Sequence, residues 1–148
     1  MTPLGAEAHE ILSTRQFSQP PEALFAAFAD PARLARWWGP AGFRNTFDVF
    51  EFRPGGRWHF TMHGPDGKDY PNRSVFHAVE APARIVLEHV NAPHFHMTLT
   101  LSPQGGGTRL TWRMRFDDVA TRDAVARIAI PANEENFDRL QAELAATS

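Results

Sequence analysis

Five segments of alternating hydrophobicity succeed one another between residues 57 and 116, and the connections between them are too short to hold a crossover helix. In the first, Trp58, Phe60 and Met62 alternate with Arg57, His59, Thr61 and His63, and Gly64-Pro65-Asp66-Gly67 closes it with turn-forming residues. The others occupy 74–80, 85–90, 95–101 and 109–116, separated by Ala81-Pro82, Asn91-Ala92-Pro93 and Gly105-Gly106-Gly107. Strands joined this closely must be antiparallel neighbours, because a parallel pair needs a long crossover. The last hairpin fixes its own register. Pairing Met97 with Met114 and Leu99 with Trp112 sets Leu101 opposite Leu110, which makes one face apolar and leaves Thr98, Thr100, Arg113 and Arg115 on the other.

The flanking segments complete an α+β arrangement. Residues 9–17 alternate as a strand, and Pro20-Pro21 then marks a helix start, with Leu24, Phe25 and Phe28 at helical spacing. Asp30-Pro31 supplies a second cap and first-turn proline, and Gly39-Pro40 stops that helix after Trp37-Trp38. Period-two patterning begins at Arg44. After residue 116 helical spacing returns through Val125, Ile128, Ala132, Phe137, Leu140 and Leu144, with Pro131 expected to kink or divide the helix. The predicted order is one strand, two short helices, a six-stranded meander and a long C-terminal helix packed on one face of a twisted sheet.

Composition removes several classes of function. The 148 residues suit a single domain over 1–148, with a core at about 9–146. With 15 basic and 17 acidic residues the formal charge is -2, which gives no general attraction to nucleic acid or to an anionic membrane. The absence of cysteine excludes disulfides, a thiol nucleophile and thiolate metal ligands. No apolar run approaches the roughly 20 residues that span a bilayer, so no membrane insertion is expected. The N-terminus lacks a basic region followed by an apolar one, and a cytoplasmic location is the resulting expectation.

A set of local signatures carries a family resemblance. In order they are Thr14-Arg15-Gln16-Phe17, Asp30-Pro31 with Trp37-Trp38-Gly39-Pro40, and Phe52-Arg53-Pro54-Gly55-Gly56-Arg57-Trp58. Then come Gly64-Pro65-Asp66-Gly67, Ala81-Pro82-Ala83-Arg84-Ile85-Val86, Gly106-Gly107-Thr108-Arg109-Leu110-Thr111 and Asn136-Phe137-Asp138-Arg139-Leu140. Over 11–144 the chain resembles the START-like, or SRPBCC, superfamily with its helix-grip (birch-pollen-allergen-like) fold. Within it, the chain is most similar to the domain named after activators of the heat-shock-protein-90 ATPase. The resemblance implies a curved sheet gripping the C-terminal helix, an internal cavity between them, and an apolar or amphipathic small molecule as ligand. It also implies two other roles. One is a polyketide-cyclase-like enzyme acting on an aromatic substrate. The other is a stress-related co-chaperone interaction domain, which the family name alone suggests, since no second domain and no evident docking surface are expected from these residues.

The candidate ligand contacts are Trp38, Trp58, Phe60, His89, Phe95, Met97, Trp112, Asn133 and Phe137. Rings such as these also fill ordinary cores, so their role depends on whether the sheet and helix leave space between them. Adjacent helical positions keep Trp37 and Trp38 from both pointing inward, which predicts one packed under the helix and one near a pocket mouth. His89 follows Ile85 and Leu87 to the inner face opposite Phe95, where it is the candidate acid or base. His59 and His63 lie on one strand face but about 13 Å apart along it. His94 and His96 fall on a polar strand face. No metal site or cofactor is expected. Glu51, Glu80 and Glu88 read as solvated strand residues, and Arg109, Arg113 and Arg115 as a solvated strand face. Gly55-Gly56 precedes a strand, not a helix, so it reads as a bend and not a phosphate loop. The exposed edges of such a sheet leave a homodimer open.

Overall fold

A computed structural model describes residues 7–147. The elements run β1 (Glu10–Phe17), α1 (Pro21–Ala29), α2 (Pro31–Trp37), β2 (Arg44–Phe50), β3 (Arg57–His63), β4 (Asp69–Glu80), β5 (Arg84–His89), β6 (Phe95–Gln104), β7 (Gly107–Phe116) and α3 (Val119–Thr147). All seven strands form one antiparallel sheet in the order β1-β7-β6-β5-β4-β3-β2. The last six strands are a meander, and β1 adds to its far side by pairing with β7, Ile11 opposite Met114. The β6–β7 hairpin has the predicted register, with Met97 opposite Met114, Leu99 opposite Trp112 and Leu101 opposite Leu110.

The helix boundaries follow their local chemistry. Pro21 takes the first position of α1. The Asp30 carboxylate accepts from the amides of Ala32 (3.0 Å) and Arg33 (3.4 Å), so it caps α2 ahead of Pro31. A Cβ on Gly56 would overlap the carbonyl of Glu51, and so this sharp bend into β3 requires glycine. The backbone there extends the sheet, with the Gly55 amide donating to the Phe76 carbonyl at 2.7 Å and the Phe76 amide to the Gly56 carbonyl at 2.9 Å.

The core lies between the inner sheet face and the three helices. Trp58, Phe76, Ile85, Leu99, Trp112 and Phe116 come from the sheet, and Leu24, Phe28, Leu34, Phe137, Leu140 and Leu144 from the helices. Glu143 is almost completely buried and fastens α3 to α2 by accepting from Arg33 Nε (3.1 Å) and Arg36 Nε and Nη2 (3.0 and 2.8 Å). These hydrogen bonds, Arg36 foremost, hold its carboxyl below the usual range.

α3 is one helix through Pro131, so the expected division does not occur. Pro131 lies on the solvent side, where the carbonyl it leaves unpaired can be hydrated. The apolar stripe also departs from expectation. Ile128 is 75% exposed, and in this half of the helix the inward positions are Ala126, Ala129 and Asn133. Asn133 reaches Ser13 of β1 at 3.2 Å, whereas alanine side chains on this part of the helix leave space above the sheet. No helix among the described residues is long and apolar enough to cross a membrane.

Candidate functional site

The space beside Ala129 and Ala132 is an open pocket of about 670 Å³ between the N-terminal half of α3 and strands β3 to β7. Its walls include Trp38, Trp58, Phe60, His89, Phe95, Met97, Trp112 and Asn133, and Ile128, Ala129 and Ala132 come from the helix. Phe43, Tyr70 and Pro71 also belong to the lining. Phe137, the remaining sequence-predicted contact, does not line it. Its ring is completely buried and packs edge-on against Phe17 (6.4 Å) and Trp112 (5.5 Å), one shell behind the wall.

The two tryptophans at the end of α2 are both buried, 1% and 8% exposed, contrary to the expectation from adjacent helical positions. The reason is that Trp38 has left the helix, with extended angles of φ −69° and ψ 134°. Trp37 packs under the helix, edge-on to Phe28, and donates from Nε1 to the Ala27 carbonyl at 3.1 Å. Trp38 stacks on Trp112 at 5.1 Å and meets Trp58 edge-on at 5.0 Å. Trp58 in turn stacks on Phe60 at 4.4 Å, so four rings form a continuous wall.

Three distant side chains hold this turn. Arg139 Nη1 donates to the carbonyls of Trp38, Gly39 and Pro40 at 2.9–3.1 Å, and Nη2 to those of Arg36 and Phe43 at 2.6 and 3.0 Å. Asn136 donates to the Trp37 carbonyl at 2.8 Å and accepts from the Gly39 amide at 3.2 Å. Asn45 donates to the Ala35 and Trp38 carbonyls at 3.0 and 2.8 Å. Gly39 has φ +96°, a backbone conformation that any other side chain would strain, and this favours glycine at the turn. Both ends of the Asn136 amide are therefore used by the turn. Asn133 lines the pocket while donating to Ser13 Oγ at 3.2 Å.

His89 is buried on the inner face as the register predicts, opposite Phe95 and stacked on its ring at 4.7 Å. Both of its nitrogens have protein partners. Nδ1–H donates to the Pro93 carbonyl at 2.7 Å, and Nε2 lies 2.8 Å from Asn72 Oδ1. It therefore shows the pocket a ring face and ties β4 to the β5–β6 connection. Burial lowers its pKa from the ordinary 6.5. A histidine that resists protonation when folded contributes stability that is complete above 6.5 and is lost as pH falls from there through the lowered folded value. The melting temperature of the protein should accordingly fall more steeply than that of His89→Gln between about pH 7 and pH 5, as read by calorimetry. Parallel curves would contradict the assignment.

The polar groups of the wall are mostly neutral. Among the described residues, Asp69 is the one charged side chain in the lining, and no arginine or lysine contributes. Two buried donors stand out. The indole Nε1 atoms of Trp58 and Trp112 have no hydrogen-bond partner among the described residues, although both rings line the pocket. An unpaired buried donor costs about 1–3 kcal/mol.

The outer sheet face departs from expectation at Glu88. Instead of standing solvated, its carboxylate accepts from His77 Nε2 at 2.8 Å and His94 Nε2 at 2.6 Å. Glu51 accepts from the Arg57 amide and Nε at 3.0 and 3.1 Å, which braces the glycine bend, and Arg113 pairs with Glu10 at 2.6 Å. Glu80 is exposed, as expected, and pairs with Arg84 at 2.9 Å.

Comparison with known proteins places these features in a common frame. A family model described as "Activator of Hsp90 ATPase homolog 1-like protein" matches residues 18–145. A crystal structure of a Rhodobacter sphaeroides protein is 31% identical, covers 96% of this chain and 95% of its own, and has a TM-score of 0.86. A solution structure from Arthrobacter aurescens is 26% identical over 94% of this chain and 87% of its own, also at 0.86. The AHSA1 protein of Silicibacter pomeroyi is 25% identical over 94% and 99%, with a TM-score of 0.78. No curated protein matches the chain.

Proposed function

The chain belongs to the activator of Hsp90 ATPase homolog 1-like family, and from that premise we propose that it is a binding protein for a small, uncharged, ring-rich molecule seated in the pocket beneath α3. The observation that carries this reading is the wall itself: four contiguous aromatic rings with no basic side chain among the described lining residues. The volume falls within the range of about 300–1,000 Å³ usual for small-molecule sites. A ligand carboxylate would enter without a cation to neutralise it, close to Asp69, and would have to shed its hydration. A neutral carbonyl or ether oxygen would enter without that penalty.

A cyclase-like reaction through His89 has less support, because neither ring nitrogen is available to take a proton from a ligand. Quenching of tryptophan fluorescence tests the binding reading. Flavone, which is flat, neutral and carries a ring carbonyl, should bind saturably, and 2-anthracenecarboxylate should bind at least about tenfold more weakly, a difference of about 1.4 kcal/mol. Equal affinity for the carboxylate would overturn the proposed ligand class.

A further inference from the structure

The sheet face opposite the pocket carries a separate cluster. Glu88 and His89 are neighbours on β5 and point to opposite faces, His89 inward to the pocket wall and Glu88 outward. Glu88 lies directly across from His96 on β6. His77 reaches the same spot from β4, where it is the residue inserted by the irregularity between Phe76 and Ala78. Such an insertion re-aims the side chain at that point of the strand. His77 Nε2 and His96 Nε2 lie 2.8 and 3.6 Å from the same Glu88 oxygen, Oε1. One ligand atom from each of the three residues falls within 4.8 Å of the other two. The second oxygen, Oε2, accepts from His94 Nε2 at 2.6 Å, and His94 Nδ1–H donates to Asp117 Oδ2 at 2.8 Å.

We propose that His77, Glu88 and His96 form a binding site for a divalent transition-metal ion of the zinc class on the outer face of the sheet. Two imidazole nitrogens and one carboxylate oxygen are the donor set preferred by zinc, copper and nickel over the all-oxygen ligands of magnesium or calcium. Ligands at about 2.0–2.2 Å in a tetrahedral site stand about 3.3 Å apart, so rotation of side chains already within 4.8 Å closes the site without backbone movement. Adjacent, hydrogen-bonded strands supply all three ligands, which fixes their spacing. His94, held in turn by Asp117, grips the oxygen of Glu88 that faces away from the two histidines, and so orients the carboxylate from outside the ligand set. His77 and His96 are open to solvent, with side chains 47% and 35% exposed, which gives the ion a way in and leaves a coordination position for water or a second ligand.

The test uses the full chain without a histidine tag, stripped by a chelator and titrated calorimetrically with zinc chloride. One equivalent of zinc should bind. His77→Ala and His96→Ala should each weaken it at least about tenfold, and His94→Ala by about the same factor with the stoichiometry unchanged. His59→Ala, on β3 away from the cluster, should leave the titration unaltered. Cobalt(II) should give the visible absorption of a tetrahedral site in the protein and lose it in the doubly substituted His77→Ala/His96→Ala chain, whose circular dichroism reports that it remains folded. No saturable zinc uptake overturns the proposal, as does a doubly substituted chain that binds zinc like the parent.

Discussion

Replacing Arg139 by alanine is expected to remove about 3–4 kcal/mol of unfolding free energy and to lower the melting temperature by roughly 10 °C. The guanidinium is the common donor to five carbonyls, from Arg36 to Phe43, and those carbonyls are the C-terminal end of α2 and the tryptophan-bearing turn after it. Of these carbonyls, that of Pro40 also accepts from the Phe43 amide at 3.2 Å, but regular helical pairing ends where the chain leaves α2 at Trp38. Burial lowers the Arg139 pKa, yet the group stays charged at any working pH, so the interaction is a charge-assisted one throughout. Arg139→Lys should recover only part of the loss, since an ammonium cannot fork toward carbonyls on both sides. Chemical denaturation of the three proteins measures this. A change below about 1 kcal/mol for Arg139→Ala would mean that the turn is held by Asn45 and Asn136 without it.

Phe137→Ala should cost a similar amount, about 3–5 kcal/mol, by opening a cavity behind Trp112 that the surrounding rings cannot fill. Phe137 meets Phe17 of β1 and Trp112 of β7 edge-on, and Arg15 of β1 lies 5.3 Å above its ring, so three elements, α3, β1 and β7, relax together when it is truncated. The expected signature is a large loss of stability with the same ligand preference, because Phe137 supports the pocket wall without belonging to the lining. A variant of nearly unchanged stability that no longer binds flavone would instead make Phe137 a ligand contact.

The fold was legible because its decisive signals are local. Alternation, turn residues and the Asp30-Pro31 cap each act within a few positions, and the pairing of Met97 with Met114 follows from the placement of apolar side chains alone. The aromatic wall was legible as an inner face but not as a wall around space. Spacing places both Phe137 and Ala132 toward the sheet, and only packing decides that the first fills its site and the second borders a gap. Arg139 was visible as part of a motif, but its partners lie about a hundred positions away, where no periodicity reaches. The histidine cluster was hidden by a single inserted residue. The irregularity at His77 breaks strict alternation on β4, so counting residues along the strands could not bring His77, Glu88 and His96 to one point. The expectation that Trp37 and Trp38 cannot both turn inward fails for a related reason: one extended residue at the end of α2 turns Trp38 inward beside Trp37.

The most direct measurement is a calorimetric titration of flavone into the protein and into Ala132→Trp, with melting curves for both. Ala132 lies on the pocket side of α3, and a tryptophan there would occupy the space assigned to the ligand without displacing core side chains. The expected result is one saturable site in the parent and a loss of at least about tenfold in affinity in the variant, with a melting temperature that is equal or higher. Binding of equal strength in both proteins, or none in either, would contradict the assignment of the pocket as a ligand site.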